Sequence, residues 1–137
     1  MSAVAVDTSV LLAIFKGESR GELWLETLRS AAEAASLLLS TIVLAEARSF
    51  FPSDDAWRKA LRDLELKHSP LTEAASLLAG KIFRAYRNEG GPRTTILPDF
   101  LVAAHAAMQA DSLATEDRGY LRTYFPGIRI LTPSGKS

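Results

Sequence analysis

Short apolar stretches at residues 3–6 and 36–39, with further strand-like stretches at 112–115 and 129–131, constrain this chain most, because none shows the polar alternation of a half-exposed strand. Such strands need cover on both faces. The segments between them carry helical patterns, so the strands are expected to pair in parallel beneath two helical layers. The fold class read from this is α/β: a three-layer α/β/α sandwich with a short-stranded, mainly parallel central sheet. At 137 residues, 47% of them hydrophobic and 23% charged, the chain holds enough apolar material for one core and no room for a second. The domain is expected to span residues 1–132, with 133–137 as a frayed tail.

Local signals place the helices. Asp7, Thr8 and Ser9 follow the first strand and open a helix that continues through the apolar residues 10–15 and stops at Gly17. Ser19 and Glu22 have capping-box spacing for a helix to about residue 35, with Leu23, Trp24 and Leu28 expected on its core side. Ser40 and Thr41 can cap a helix running to Phe51, where Pro52 ends it, and Ser53 with Asp54 and Asp55 starts another to about residue 65. The next helix opens at residues 70–73 and continues through Tyr86 to the breaker sequence at 88–92. Pro98 and Asp99 start a helix reaching about residue 110.

Composition removes several function classes. Sixteen basic and sixteen acidic residues leave no net charge, so any grip on a polyanion must be local. The absence of cysteine rules out disulfides, thiolate nucleophiles and cysteine-based zinc sites. The longest apolar run, residues 10–15, is far short of the ~20 residues a spanning helix needs. No basic region precedes it as in a signal peptide, so the start reads as mature, with a cytoplasmic location and no membrane partner expected. His105 lies in an apolar helix and reads as a hydrogen-bonded core or interface residue, so a metal-free acid–base site built with His68 is disfavoured. Trp24, Trp57, Phe50 and Phe51 have the helical spacing of core or subunit contacts. Gly135-Lys136-Ser137 lacks the upstream glycine and following helix of a phosphate loop.

In open parallel sheets ligands sit beyond the carboxyl ends of the strands, and acids cluster there in this chain. Asp7 follows the first strand, Asp117 lies two residues after Thr115, Asp99 begins the helix feeding that late strand, and Glu46 sits one turn into the helix after the second strand. Each acid has an ordinary structural use: Asp7 and Asp99 as helix caps, Glu46 as a partner of Arg48 or Arg20, Asp117 in a turn. Four carboxylates on one edge would repel one another, and a divalent cation relieves that repulsion. Oxygen ligands without His or Cys suit Mg²⁺ or Mn²⁺.

VAVDTSVLLAIF, STIVLAEARSF and LPDFLVAAHAAMQADSLATEDRGYLRTYFPGIRIL, in this order and spacing, resemble the successive motifs of the PIN-domain ribonucleases, and most closely the VapC-type toxins of toxin–antitoxin pairs. HSPLTEAASLLAGKIFRAYR stands where that family has its long middle helix, so the resemblance runs from Val4 to Leu131. It implies catalytic acids at Asp7, Glu46, Asp99 and Asp117, with Asp7, Asp99 and Asp117 holding Mg²⁺ or Mn²⁺ and Glu46 orienting a water or acting as base. A hydroxyl near the metal is also implied. Thr8, Ser9 and Thr115 are candidates, with Ser9 and Thr115 preferred. Where relatives often carry Arg or Lys before the last acid this chain has Glu116, which is expected to face solvent.

The activity implied is endonucleolytic hydrolysis of RNA leaving a 5′-phosphate, and the partners implied are an antitoxin crossing the groove and a second copy of the chain in a homodimer. Residues up to 79 carry a balance of −3 and those from 80 a balance of +3, so Arg84, Arg87, Arg93, Arg118 and Arg122 are the RNA-facing candidates. Two rivals remain: a non-catalytic PIN-like module that binds RNA or protein, and an aspartate-based phosphotransfer enzyme. The second needs another Asp two residues after Asp7, where Ser9 stands.

Overall fold

The computed structural model describes residues 2–93, 95–116 and 119–133. Five strands and seven helices alternate along them: β1 (Ser2–Val6), α1 (Thr8–Phe15), α2 (Ser19–Ala32), β2 (Ala35–Leu39), α3 (Thr41–Arg48), α4 (Asp54–Asp63), β3 (Leu66–His68), α5 (Glu73–Asn88), α6 (Leu97–Gln109), β4 (Ser112–Ala114), α7 (Gly119–Tyr124) and β5 (Arg129–Leu131). The sheet has the order β3-β2-β1-β4-β5 and every pairing is parallel. This is the α/β class expected from the apolar stretches. From β1 the chain builds outward to β2 and β3, then returns to the other side of β1 with β4 and β5, so the order reverses between β1 and β4. At such a switch point the flanking connections leave in opposite directions and open a crevice at the carboxyl edge.

Capping accounts for three of the helix starts. Ser40, Ser53 and Thr72 each accept from a backbone N–H in the first turn that follows, at Val43, Ala56 and Ala75. The Ser19–Glu22 capping box does not form: Glu18 takes the cap position without a side-chain bond, and Ser19 is already helical. Leu23 is 46% exposed, whereas Trp24 and Leu28 fill the core. The third helix ends at Arg48, short of Phe51, because Arg48 reaches forward to the Phe51 carbonyl and Asp54 and fixes a turn there. Phe50 is left 53% exposed beneath the Lys16 ammonium, so of the core or subunit contact expected for it the core is not its place. Strand β3 was not foreseen, since only Leu66 of its three residues is buried and no apolar run marks it. Of the expected frayed tail, Pro133 accepts a hydrogen bond from Thr27, and residues 134–137 lie outside the described residues.

The core contains Leu11, Trp24, Leu37, Leu39, Leu113 and Phe100, with Phe100 ringed by Phe83, Tyr86, Tyr120 and Tyr124. His105 is fully buried on α6, as expected, with Nε2 3.0 Å from Ser69 Oγ and no partner for Nδ1 among the described residues. Burial, first, and the neighbouring His68 push its pKa below the ordinary value, against the opposing effect of the bond to Ser69. The unfolded chain therefore takes up a proton that the fold resists, so stability is lost as pH falls below the unfolded value of about 6.5. His105→Gln should flatten the fall in unfolding midpoint between neutral pH and about pH 5, measured in urea against the parent chain. A variant with an unchanged slope would mean that His105 is no source of it.

Candidate active site

Asp7 stands at the crevice between β1 and β4. Its backbone N–H donates to the Ala114 carbonyl at 2.9 Å, continuing the β1–β4 ladder by one residue. Asp7 occupies the cap position of α1, yet its carboxylate does not cap that helix. Instead Oδ2 accepts from two hydroxyls, Ser9 Oγ at 2.8 Å and Thr115 Oγ1 at 2.8 Å. Ser9 Oγ in turn accepts the backbone N–H of Glu116 at 3.1 Å, closing a loop from β1 through α1 to the segment after β4. Ser9 and Thr115, the two preferred hydroxyl candidates, thus both bond to Asp7. Donors aimed at one carboxylate oxygen fix its orientation.

Glu46 lies on the exposed side of α3 and accepts from Thr8 Oγ1 at 2.6 Å, which ties the start of α1 to the helix following β2. Neither Arg48 nor Arg20 pairs with it. Arg48 is held by Asp54 and Arg20 by Glu116. Asp99, in the first turn of α6, accepts the Ile96 backbone N–H at 2.9 Å, so its capping role is real. Tyr120 holds the same turn by donating to the Asp99 carbonyl at 2.9 Å. Helix α6 runs into β4, which places its first turn at the carboxyl edge of the sheet.

Asp117 and Arg118 lie outside the described residues. Among the described residues no three acids or histidines are grouped to hold a metal. The chemistry of the acidic set nevertheless suits a hard cation, being carboxylate and hydroxyl oxygen throughout, while His68 is engaged with Thr41 and His105 with Ser69.

Residues 4–126 match the model of the PIN domain family. This chain belongs to the PIN-domain family. Similar solved structures include VapBC2 from Rickettsia felis bound to a promoter DNA fragment, with 18% identity over 95% of this chain and 98% of the other and a TM-score of 0.73. DNA-bound VapBC from Salmonella typhimurium aligns with 18% identity over 97% and 99% of the two chains and a TM-score of 0.71. VapBC-1 from nontypeable Haemophilus influenzae aligns with 16% identity over 96% and 98% and a TM-score of 0.72. No curated protein sequence matches significantly.

In this PIN domain Glu116 does not simply face solvent. Its carboxylate is held by Arg20 Nε and by the indole N–H of Trp24 at 2.8 Å, although the residue is exposed. Arg20 and Trp24 lie one turn apart on α2, a spacing visible in the sequence whose role was missed because Trp24 reads, correctly, as core. The arginines divide. Arg84, Arg87 and Arg93 are exposed around the end of α5 and the loop after it, whereas Arg122 lines a different cleft with Phe125 and Ile130.

Proposed function

We propose that this PIN domain is a metal-dependent endoribonuclease, the toxin of a type II toxin–antitoxin pair. The observation that carries the reading is the bracing of Asp7 by Ser9 and Thr115 at the switch-point crevice. Membership of the PIN family supports it, and so does the likeness to toxin–antitoxin complexes. Asp7, Asp99 and Asp117 are assigned as ligands of Mg²⁺ or Mn²⁺. An ion held there would make a bound water more acidic and would offset the charge that develops on the phosphate.

The protein's own groups do the rest. Ser9 and Thr115 hold the Asp7 carboxylate in one orientation, and Thr8 holds Glu46, which orients the attacking water or takes its proton. Glu116 is an added negative charge, offset by Arg20. The substrate is RNA, cut internally to leave a 5′-phosphate. The partners are an antitoxin whose C-terminal segment crosses the groove and a second copy of the chain, for which exposed Phe50 near the end of α3 and Leu77 on α5 supply apolar contact. No described helix is long and apolar enough to cross a membrane.

The test is cleavage of labelled RNA by antitoxin-free protein. Mg²⁺ or Mn²⁺ should support cleavage, EDTA should abolish it and added Mn²⁺ should restore it, while Asp99→Asn should remain inactive under all three conditions. Well-folded protein that cuts nothing across a broad panel of RNAs would make a non-catalytic binding module the better account.

A further inference from the structure

The C-terminal end of α5 and the loop leading to α6 enclose two adjoining cavities of about 410 and 560 Å³, which share Phe83 and Arg87. Cavities of this size accept nucleotide-sized ligands. Their lining includes three arginines, Arg84, Arg87 and Arg93, and no carboxylate. None of the three forms an ion pair among the described residues, whereas Arg20, Arg48 and Arg58 elsewhere on the surface do. The one acid between residues 80 and 98 is Glu89, and its carboxylate is bound by the Tyr124 hydroxyl at 2.7 Å. A chain with no net charge has therefore gathered around one groove three guanidinium groups that form no ion pair among the described residues.

The groove also has an aromatic wall. The Arg87 guanidinium lies over the Phe83 ring at 5.8 Å, and Phe83 stacks on Tyr86 at 6.3 Å with the rings within 15° of parallel. A guanidinium carried on a ring presents a flat cationic face on which an unpaired base can stack. The larger cavity reaches Ile96, whose backbone N–H is the one bound by Asp99. The groove is thus continuous with the first turn of α6, where the candidate catalytic acid sits. Gly91 keeps it open in this form: a Cβ there would meet the Tyr86 ring at 2.4 Å.

We infer that this groove binds single-stranded RNA flanking the cleavage position, with Arg84 and Arg93 on phosphates and one unpaired base stacked against the Arg87–Phe83 pair. The inference rests on the ribonuclease reading for the identity of the nucleic acid. Arg122, in its separate cleft, is not part of this path. A paired base cannot stack there, so duplex RNA binds less tightly than single strands.

The test is fluorescence anisotropy of a short labelled single-stranded RNA with the full chain in EDTA, over a series of KCl concentrations, so that binding is read without cleavage. Combining Arg84→Ala, Arg87→Ala and Arg93→Ala should lower affinity roughly 100-fold at low salt and reduce the salt slope by about 1.4, at ~0.7 for each of the phosphate contacts of Arg84 and Arg93. Phe83→Leu, which keeps apolar bulk against Phe100, should lower affinity about fivefold or more and leave the slope unchanged. Arg29→Ala, on the exposed face of α2, supplies the control for loss of a surface charge. Affinity and slope unchanged in the triple variant would overturn the inference, as would equal binding of duplex RNA. Retained RNA binding in a triple variant that no longer binds an acidic peptide would reassign the groove to a protein partner and overturn it too. Groove-dependent binding by a protein that cleaves no RNA would instead uphold the groove and reject the nuclease.

Discussion

Asp7→Asn is expected to lower kcat/KM for RNA cleavage by about 10³-fold or more, while the chain still folds. On the metal-binding role proposed for Asp7, the size follows from losing a charged ligand in a reaction where a bound ion would supply several kcal/mol, at about 1.36 kcal/mol per decade of rate. Folding survives because asparagine keeps an oxygen that can accept from both Ser9 and Thr115, and because Asp7 holds its place in the sheet through its backbone N–H. Thr115→Val and Ser9→Ala remove one donor each, and should cost about 10- to 100-fold, the range found when partners of metal ligands are lost. The graded series separates the roles. Metal affinity by calorimetry, cleavage rate and thermal midpoint should be measured on all three variants. An Asp7→Asn protein that cleaves at the parent rate would remove Asp7 from the chemistry and leave its hydrogen bonds as a structural brace.

The largest effect on stability is expected at Gly21. This buried glycine, in the first turn of α2, faces the end of α1, and a Cβ added to it would fall 2.3 Å from the Ala13 carbonyl oxygen. That oxygen belongs to the backbone and accepts from the Glu18 N–H at 3.1 Å, so it cannot swing aside. Gly21→Ala must push α1 and α2 apart, at about 3 kcal/mol, the upper part of the usual range for overpacking. For a chain of this length that lowers the thermal midpoint by roughly 10 °C. Gly80→Ala should do the opposite. Gly80 lies in the exposed middle of α5, where an added Cβ meets nothing within 4 Å, so relief of backbone entropy should stabilise by about 1 kcal/mol. Thermal and urea unfolding of the two variants reads both signs. A Gly21→Ala chain melting with the parent would mean that α1 and α2 are not closely packed.

The parts that could be read along the chain are those whose physics is local. Apolar stretches at β1 and β2, polar caps at Ser40, Ser53 and Thr72, and the breaker after Asn88 announce elements because each signal and its consequence lie within a few residues. Strand β3 failed this test, since Leu66 alone faces the core and the strand exists only because β2 offers an edge to pair with. The Ser19–Glu22 pair failed it in the other direction. Its spacing suits a capping box, but the close approach of Gly21 to Ala13 draws Ser19 into the helix.

The acids follow the same division. That Asp7, Glu46 and Asp99 belong near one edge can be read from their places after strands or at helix starts, because parallel βα units put all such positions on one side of the sheet. Which atoms each acid meets could not be read. Thr8 on Glu46, Thr115 on Asp7, and Arg20 with Trp24 on Glu116 join residues 38, 108, 96 and 92 positions apart. Contacts of that separation depend on strand order and helix packing, which no local pattern encodes. Residue order therefore sets the kinds of element and the inventory of charged groups, while the β1–β4 crossover decides which of those groups share a crevice. The +3 balance from residue 80 onward pointed to Arg84, Arg87 and Arg93 among others, but that these three line adjoining cavities, with Glu89 turned onto Tyr124, is decided by folding alone.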